Sequence, residues 1–185
     1  LPDEEVSLID ALLLSVRYAN SACPIVEVKQ TLDVLAERVR PRIEAANSVR
    51  EKLDVLTCFL FDECGFQGNS DEYYDPLNSY VNKVLERKRG LPITLSVVYI
   101  EVARRVGLEL EAISFPFHFQ ISPTNVEDLF LDPFHDGKLN GMHNLFQSSR
   151  AVRPNMSVPT SLFDQLYLVS IWILHKRENG CAMLH

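Results

Sequence analysis

The stretch RGLPITLSVVYIEVARRVGLELEAISFPFHFQI, Arg89 to Ile121, decides how the chain is read. Gly90 breaks the helical pattern before it. Pro92 opens a new one, in a first turn where a missing backbone N–H costs nothing. From Ile93 to Val106 the residues are mostly apolar until Arg104 and Arg105, which predicts a central, buried helix that Gly107 stops. The texture then changes. Glu111 to Ile121 alternates, predicting one strand with Ile113, Phe115, Phe117, Phe119 and Ile121 on one face and Ser114, Pro116, His118 and Gln120 on the other.

Downstream, the turn-rich Ser122-Pro123-Thr124-Asn125 leads to a second short run, Leu129 to Pro133, predicted to close an antiparallel hairpin with the first. Beyond Phe134 the pattern reads as a loop until an amphipathic helix over Ser161 to Leu174. Upstream, everything reads as helix. Val6, Leu8, Ile9, Leu12 and Leu13 form one apolar stripe. A second helix is expected from about Val26 to Val39, limited by Pro41. Ser48 and Glu51 form a capping box before a third, which bears Leu53, Leu56, Leu60 and Phe61. Gly65 and Gly68 suit its stop and the following turn, and Asn78 or Ser79 is expected to cap a short helix through Val81, Val84 and Leu85. The class is α+β: a helix-rich N-terminal half with a small antiparallel sheet late in the chain. One domain is expected over residues 1–185, divided into a helical lead-in (1–89), a helix-plus-sheet core (90–134) and a C-terminal loop and helix (135–185).

Composition narrows the function. A formal charge of −7 argues against neutralising nucleic-acid phosphates. The one basic run, Arg87-Lys88-Arg89, falls at a predicted helix end, where cations complement the macrodipole. Four cysteines, Cys23, Cys58, Cys64 and Cys181, form no regular framework, which favours reduced thiols and an intracellular setting, cytoplasm or plastid stroma. No apolar run approaches the ~20 residues that span a bilayer, so no membrane role is expected. The opening Leu-Pro-Asp-Glu-Glu reads as that of a fragment or processed form.

The segments NSYVNKVLERKRGLPITLSVVYIEVARRVGLELEAISFPFHFQI and LFLDPF, with FLFDECGFQGNSDEYYDPLNSYVNKVL leading in, resemble the SirB-one family of transglutaminase-like proteins. The likeness covers about Asp3 to Phe134, and a related domain occurs in some F-box proteins. It implies a papain-like fold in which a cysteine opens the central helix and a histidine and an aspartate sit on adjacent strands. A helix N-terminus and an imidazolium both favour thiolate, and the aspartate orients the histidine. On that pattern the histidine corresponds to His118 and the aspartate to Asp132, while the nucleophile position, fifteen residues before Gly107, holds Pro92. A pyrrolidine ring has neither a nucleophilic atom nor an ionisable proton.

Ser96 lies about one turn beyond Pro92, near the same face, and is a weak substitute; Thr94 is rotated away. His118 and Asp132 read either as a remnant pair that pins two strands together, as a ligand-binding pair, or as retained catalysts. His118, Asp132, His135, Asp136 and His143 crowd one part of the sequence but lack metal-ligand spacing, and neither a metal nor another cofactor is expected. Tyr73, Tyr74 and Asn78 read either as packing and capping residues or as the wall of a binding cleft. The expectation is a non-catalytic module that binds a protein or peptide, the C-terminal helix docking on a further segment or a partner. The alternative is a hydrolase or acyltransferase on peptide or amide bonds, using His118 and Asp132 with a non-cysteine nucleophile.

Overall fold

A computed structural model describes residues 8–19, 24–115, 118–126 and 128–140. The predicted C-terminal helix, Cys23, Cys181, His143 and the His118 side chain lie outside the described residues. Five helices, α1 (Leu8–Ala19), α2 (Ile25–Ala45), α3 (Val49–Thr57), α4 (Val81–Arg87) and α5 (Pro92–Arg105), precede an antiparallel sheet in the order β3-β4-β5-β6. Its strands are β3 (Leu110–Phe115), β4 (His118–Pro123), β5 (Phe130–Asp132) and β6 (Lys138–Asn140). A two-residue parallel bridge, β1 (Gln67–Gly68) beside β2 (Arg89–Gly90), ties the segment that follows α3 to the start of α5. The class is α+β, as expected.

The core forms around α5. Every residue from Ile93 to Ala103 is buried, with α2 on one side and the sheet on another. Tyr99 fits there because its hydroxyl reaches the Leu53 carbonyl (3.2 Å) and Thr57 (3.0 Å), while burial pushes its pKa upward.

Several expectations need correcting. Helix α2 continues through Pro41 to Ala45. An interior proline costs about 3 kcal/mol, but the extra turn buries Ile43 and brings Arg42 to Glu63 at 2.5 Å. The Ser48 cap forms (Glu51 N to Oγ, 3.1 Å), yet the Glu51 carboxylate takes the Asn47 N–H rather than that of Ser48. The third helix ends in a π-helical segment, Cys58–Glu63, which buries three successive residues, Phe59, Leu60 and Phe61. Gly65, with φ 75°, makes the stop; Gly68 makes no turn but a close approach.

Neither Asn78 nor Ser79 caps α4. Tyr80 precedes it without a side-chain bond, and Asp75 instead caps a 3₁₀ turn over Pro76–Ser79. The helix ends on Lys88, left-handed at φ 60°, not on Gly90.

The alternating stretch is two strands rather than one: Phe115 pairs with His118 and Leu110 with Pro123. Proline cannot donate to a ladder, so Pro116 suits an interruption. The loop expected beyond Phe134 contains β6. Asp136 and Gly137, both at positive φ, turn the chain back so that Lys138 pairs with Asp132.

Candidate functional site

The N-terminus of α5 is held from three directions. Pro92 occupies the first helical position, where its fixed φ suits the turn. Leu91 N donates to Thr94 Oγ1 (2.9 Å) and to the Asn78 carbonyl (3.3 Å), and Thr94 Oγ1 donates in turn to that carbonyl (2.8 Å). Asn69 N donates to the Gly90 carbonyl (3.1 Å). The helix start is thus tied to the loop before α4 by a buried polar network.

Asn78 is the hub of that network and is fully buried. Its Nδ2 donates to the Glu72 and Tyr73 carbonyls (2.7 and 3.3 Å), and its Oδ1 accepts from Asn69 Nδ2 (2.9 Å). A buried amide satisfied this way fixes the loop that carries Tyr73 and Tyr74. Tyr73 meets Tyr74 edge-on at 5.4 Å and Phe134 at 5.9 Å, and Phe134 meets the His135 ring at 5.4 Å. These rings make a continuous strip. Its outer member, Tyr74, is 72% exposed.

Asp132 ends β5 and caps the 3₁₀ turn Pro133–His135, its Oδ1 accepting from Phe134 N (3.1 Å) and His135 N (3.3 Å). Its Oδ2 accepts from Gln120 Nε2 (3.1 Å) and from Nδ1 of His135 (2.8 Å). The carboxylate is buried, whereas the His135 side chain is 55% exposed. Ile121 pairs with Leu131, so Gln120 stands across from Asp132, and His118 opens β4 two positions earlier. Sequence reasoning named Asp132 but missed Gln120 and His135 as its partners. The signal was a D-P-F-H run that a 3₁₀ turn folds onto itself, with a polar residue in register across the ladder.

The turn after β5 packs onto the α5 start through Gly68. A Cβ there would fall on the Phe134 carbonyl oxygen and lie 2.7 and 2.8 Å from two of its ring carbons. This close approach draws Phe134, and with it Asp132 and His135, against the bridge that precedes Pro92. The nearby hydroxyls are engaged: Ser96 Oγ donates to the Pro92 carbonyl (2.8 Å), and Thr94 is held as above. Both side chains are fully buried. Among the described residues no three metal-ligating side chains converge. There, too, no helix is long and apolar enough to cross a membrane.

Comparison with known proteins places the chain in a family. A UPF0162 protein of Xylella fastidiosa (strain Temecula1) is 38% identical over 137 residues, covering 74% of this chain and 49% of its own length. Human F-box only protein 21 is 27% identical over 168 residues, covering 74% of this chain and 27% of that protein. A UPF0162 protein of Vibrio cholerae is 28% identical over 98 residues, covering 52% and 36% respectively. The chain spans at most about half the length of these relatives. No solved structure matches it significantly. The model of the transglutaminase-like superfamily matches residues 26–169, from α2 through α5 and the sheet, and the chain belongs to that superfamily.

Proposed function

We propose that this chain is a non-catalytic transglutaminase-like domain that binds a protein or peptide as an adaptor or regulatory module. The observation that carries the reading is Pro92 at the tip of α5, with the scaffold that would position a nucleophile kept around it. Acyl transfer needs an atom that attacks and a base within hydrogen-bond reach of its proton. Pro92 offers no such atom, and the hydroxyl protons of Ser96 and Thr94 are committed to carbonyl oxygens in the interior. What faces outward beside Asp132 is the strip Tyr74, Tyr73, Phe134 and His135, apolar surface with polar tips of the kind that recognises peptides. Likeness to an F-box protein supports an adaptor role by analogy.

One observation favours the rival reading, a hydrolase or acyltransferase: Asp132 orients an imidazole whose ring is largely exposed. Two measurements separate the readings. The first incubates the chain with fluorogenic peptide, ester and amine-acceptor substrates, expecting no turnover; turnover abolished in Asp132→Asn or His118→Ala sinks the proposal. The second selects peptides from a displayed library, expecting binders that lose affinity in Tyr74→Ser; binders indifferent to the strip place recognition elsewhere.

A further inference from the structure

The basic run Arg87-Lys88-Arg89 is dispersed by the fold, and among the described residues the ammonium of its middle member pairs with no carboxylate. Arg87 pairs with Asp75 at 2.7 Å. Arg89 donates to the Gln67 side-chain oxygen, at 3.0 and 3.1 Å with that amide turned to face it. Lys88 lies between them in a left-handed backbone conformation, which costs a residue with a Cβ about 1–2 kcal/mol and is normally left to glycine. Its ammonium sits 4.4 Å over the Phe66 ring, half-buried. From α2, Arg38 lies 5.1 Å over the Phe59 ring and points Nη1 at Cys64 Sγ, 3.9 Å away.

Arg38 thus faces the Cys64 thiol, Lys88 stands over the ring two residues further along the chain, and among the described residues neither cation forms an ion pair with a carboxylate. Burial holds the Lys88 ammonium below the ordinary lysine range; Cys64 opposes that and Arg38 adds to it. The local backbone is unusual on both sides. The π-helical segment delivers Phe59 and Cys64, joined by Cys64 N to Phe59 O at 2.9 Å, and the left-handed turn delivers Lys88. Both rings hold their cations in place before any ligand arrives, which lowers the ordering cost of binding.

We propose that Arg38, at the Cys64 thiol, and Lys88, over the Phe66 ring two residues further on, form a binding site for a phosphate-class oxyanion, either free or carried as a phosphomonoester. A sulfur is a weak acceptor for a guanidinium, and a phosphate oxygen in its place makes a charge-assisted bond. The lysine adds a second positive charge as a compact ammonium. With the whole chain at −7, long-range attraction does not draw the anion in. Selectivity comes from these contacts and is weakened by salt.

The test titrates the intact chain with inorganic phosphate and, separately, with phenyl phosphate, at constant ionic strength in chloride. It follows the Lys88 side-chain resonance in lysine-labelled protein and the heat of binding. The expected result is a saturable one-to-one response that raises the Lys88 titration midpoint. Arg38→Met and Lys88→Asn, the latter a residue that tolerates the left-handed turn, each weaken binding at least about tenfold. Lys83→Met, which removes an ammonium already paired with Glu86, leaves it unchanged. Tighter binding of inorganic phosphate assigns the site to the free ion, and tighter binding of phenyl phosphate to an ester. A response that does not saturate, or one of full strength in both variants, overturns the proposal.

Discussion

Replacing Asn78 tests whether the buried amide network orders the candidate site. Asn78→Ala removes three hydrogen bonds. One of them leaves the Asn69 amide, itself 1% exposed, with an orphaned donor, at a cost of about 1–3 kcal/mol. The Glu72 and Tyr73 carbonyls belong to exposed residues and recover water, so each lost bond there costs about 1 kcal/mol or less. The sum is about 3 kcal/mol, a large share of the ~5–15 kcal/mol that holds a domain folded. Asn78→Asp is nearly isosteric but sets a carboxylate oxygen against two carbonyls, so it destabilises more than alanine does. Urea denaturation measures both variants. An Asn69→Ala, Asn78→Ala cycle reads the coupling, with the double variant losing less than the sum by about 1 kcal/mol. Amide exchange should quicken at Tyr73 and Tyr74 in every variant. Asn78→Asp tolerated within about 0.5 kcal/mol, or strictly additive singles, refutes the reasoning.

Other outcomes follow from the same geometry. Pro92→Cys places a thiol at the N-terminal end of a fourteen-residue helix; its pKa should fall by about one unit or more and its alkylation quicken, whereas an ordinary thiol shows that the tip no longer favours an anion. Gly68→Ala forces Phe134 and its turn away from the bridge before α5, costing about 1–3 kcal/mol in thermal unfolding; a neutral effect refutes the close packing. Burial raises the Cys64 pKa while Arg38 and Lys88 pull it down, so alkylation of the Cys64 peptide, followed by mass spectrometry, should have its midpoint above the ordinary 9.0. Arg38→Met should move it higher still. Because the folded state keeps the Cys64 proton that the unfolded chain releases first, this thiol's contribution to stability is full below the unfolded pKa and is lost as pH rises above it. A midpoint below the ordinary value contradicts the burial.

What was legible in the sequence follows the range of the interactions. The start and stop of α5 were legible because a first-turn proline and a left-handed glycine act within a few residues. The division of the alternating stretch was not, because period two continues through the short connection while the faces exchange. Parity placed Ile113 with Phe119 and Ile121, but the register sets Ile113 opposite Gln120 and Ala112 opposite Ile121. That exchange also explains the missed partner, since only pairing across strands brings Gln120 to Asp132. Asp136-Gly137 was a readable hairpin signal, obscured by the Pro-Phe-His turn before it. The π-helical segment and the Asn69–Asn78 bond rest on tertiary packing and leave no local pattern.

On the proposed reading, the proline at the nucleophile position also strengthens the site's frame. A proline in the first turn has few unfolded conformations to lose and is preset for the helix, a gain of about 0.4–1 kcal/mol over a residue free to rotate. Around it, the Leu91 N–H, the Thr94 and Ser96 hydroxyls and the Gly90 carbonyl all find partners within the protein. A tip built for attack needs the reverse: a side chain with an unspent proton and a neighbouring base to take it. In that reading, the proline that closes the acyl-transfer route also makes the start of α5 a more rigid anchor for the loop of Tyr73 and Tyr74. Rigidity at that point favours binding, because a surface already ordered has less entropy to lose when a partner arrives. On the proposed reading, loss of chemistry and gain of a recognition surface are, in these physical terms, one change.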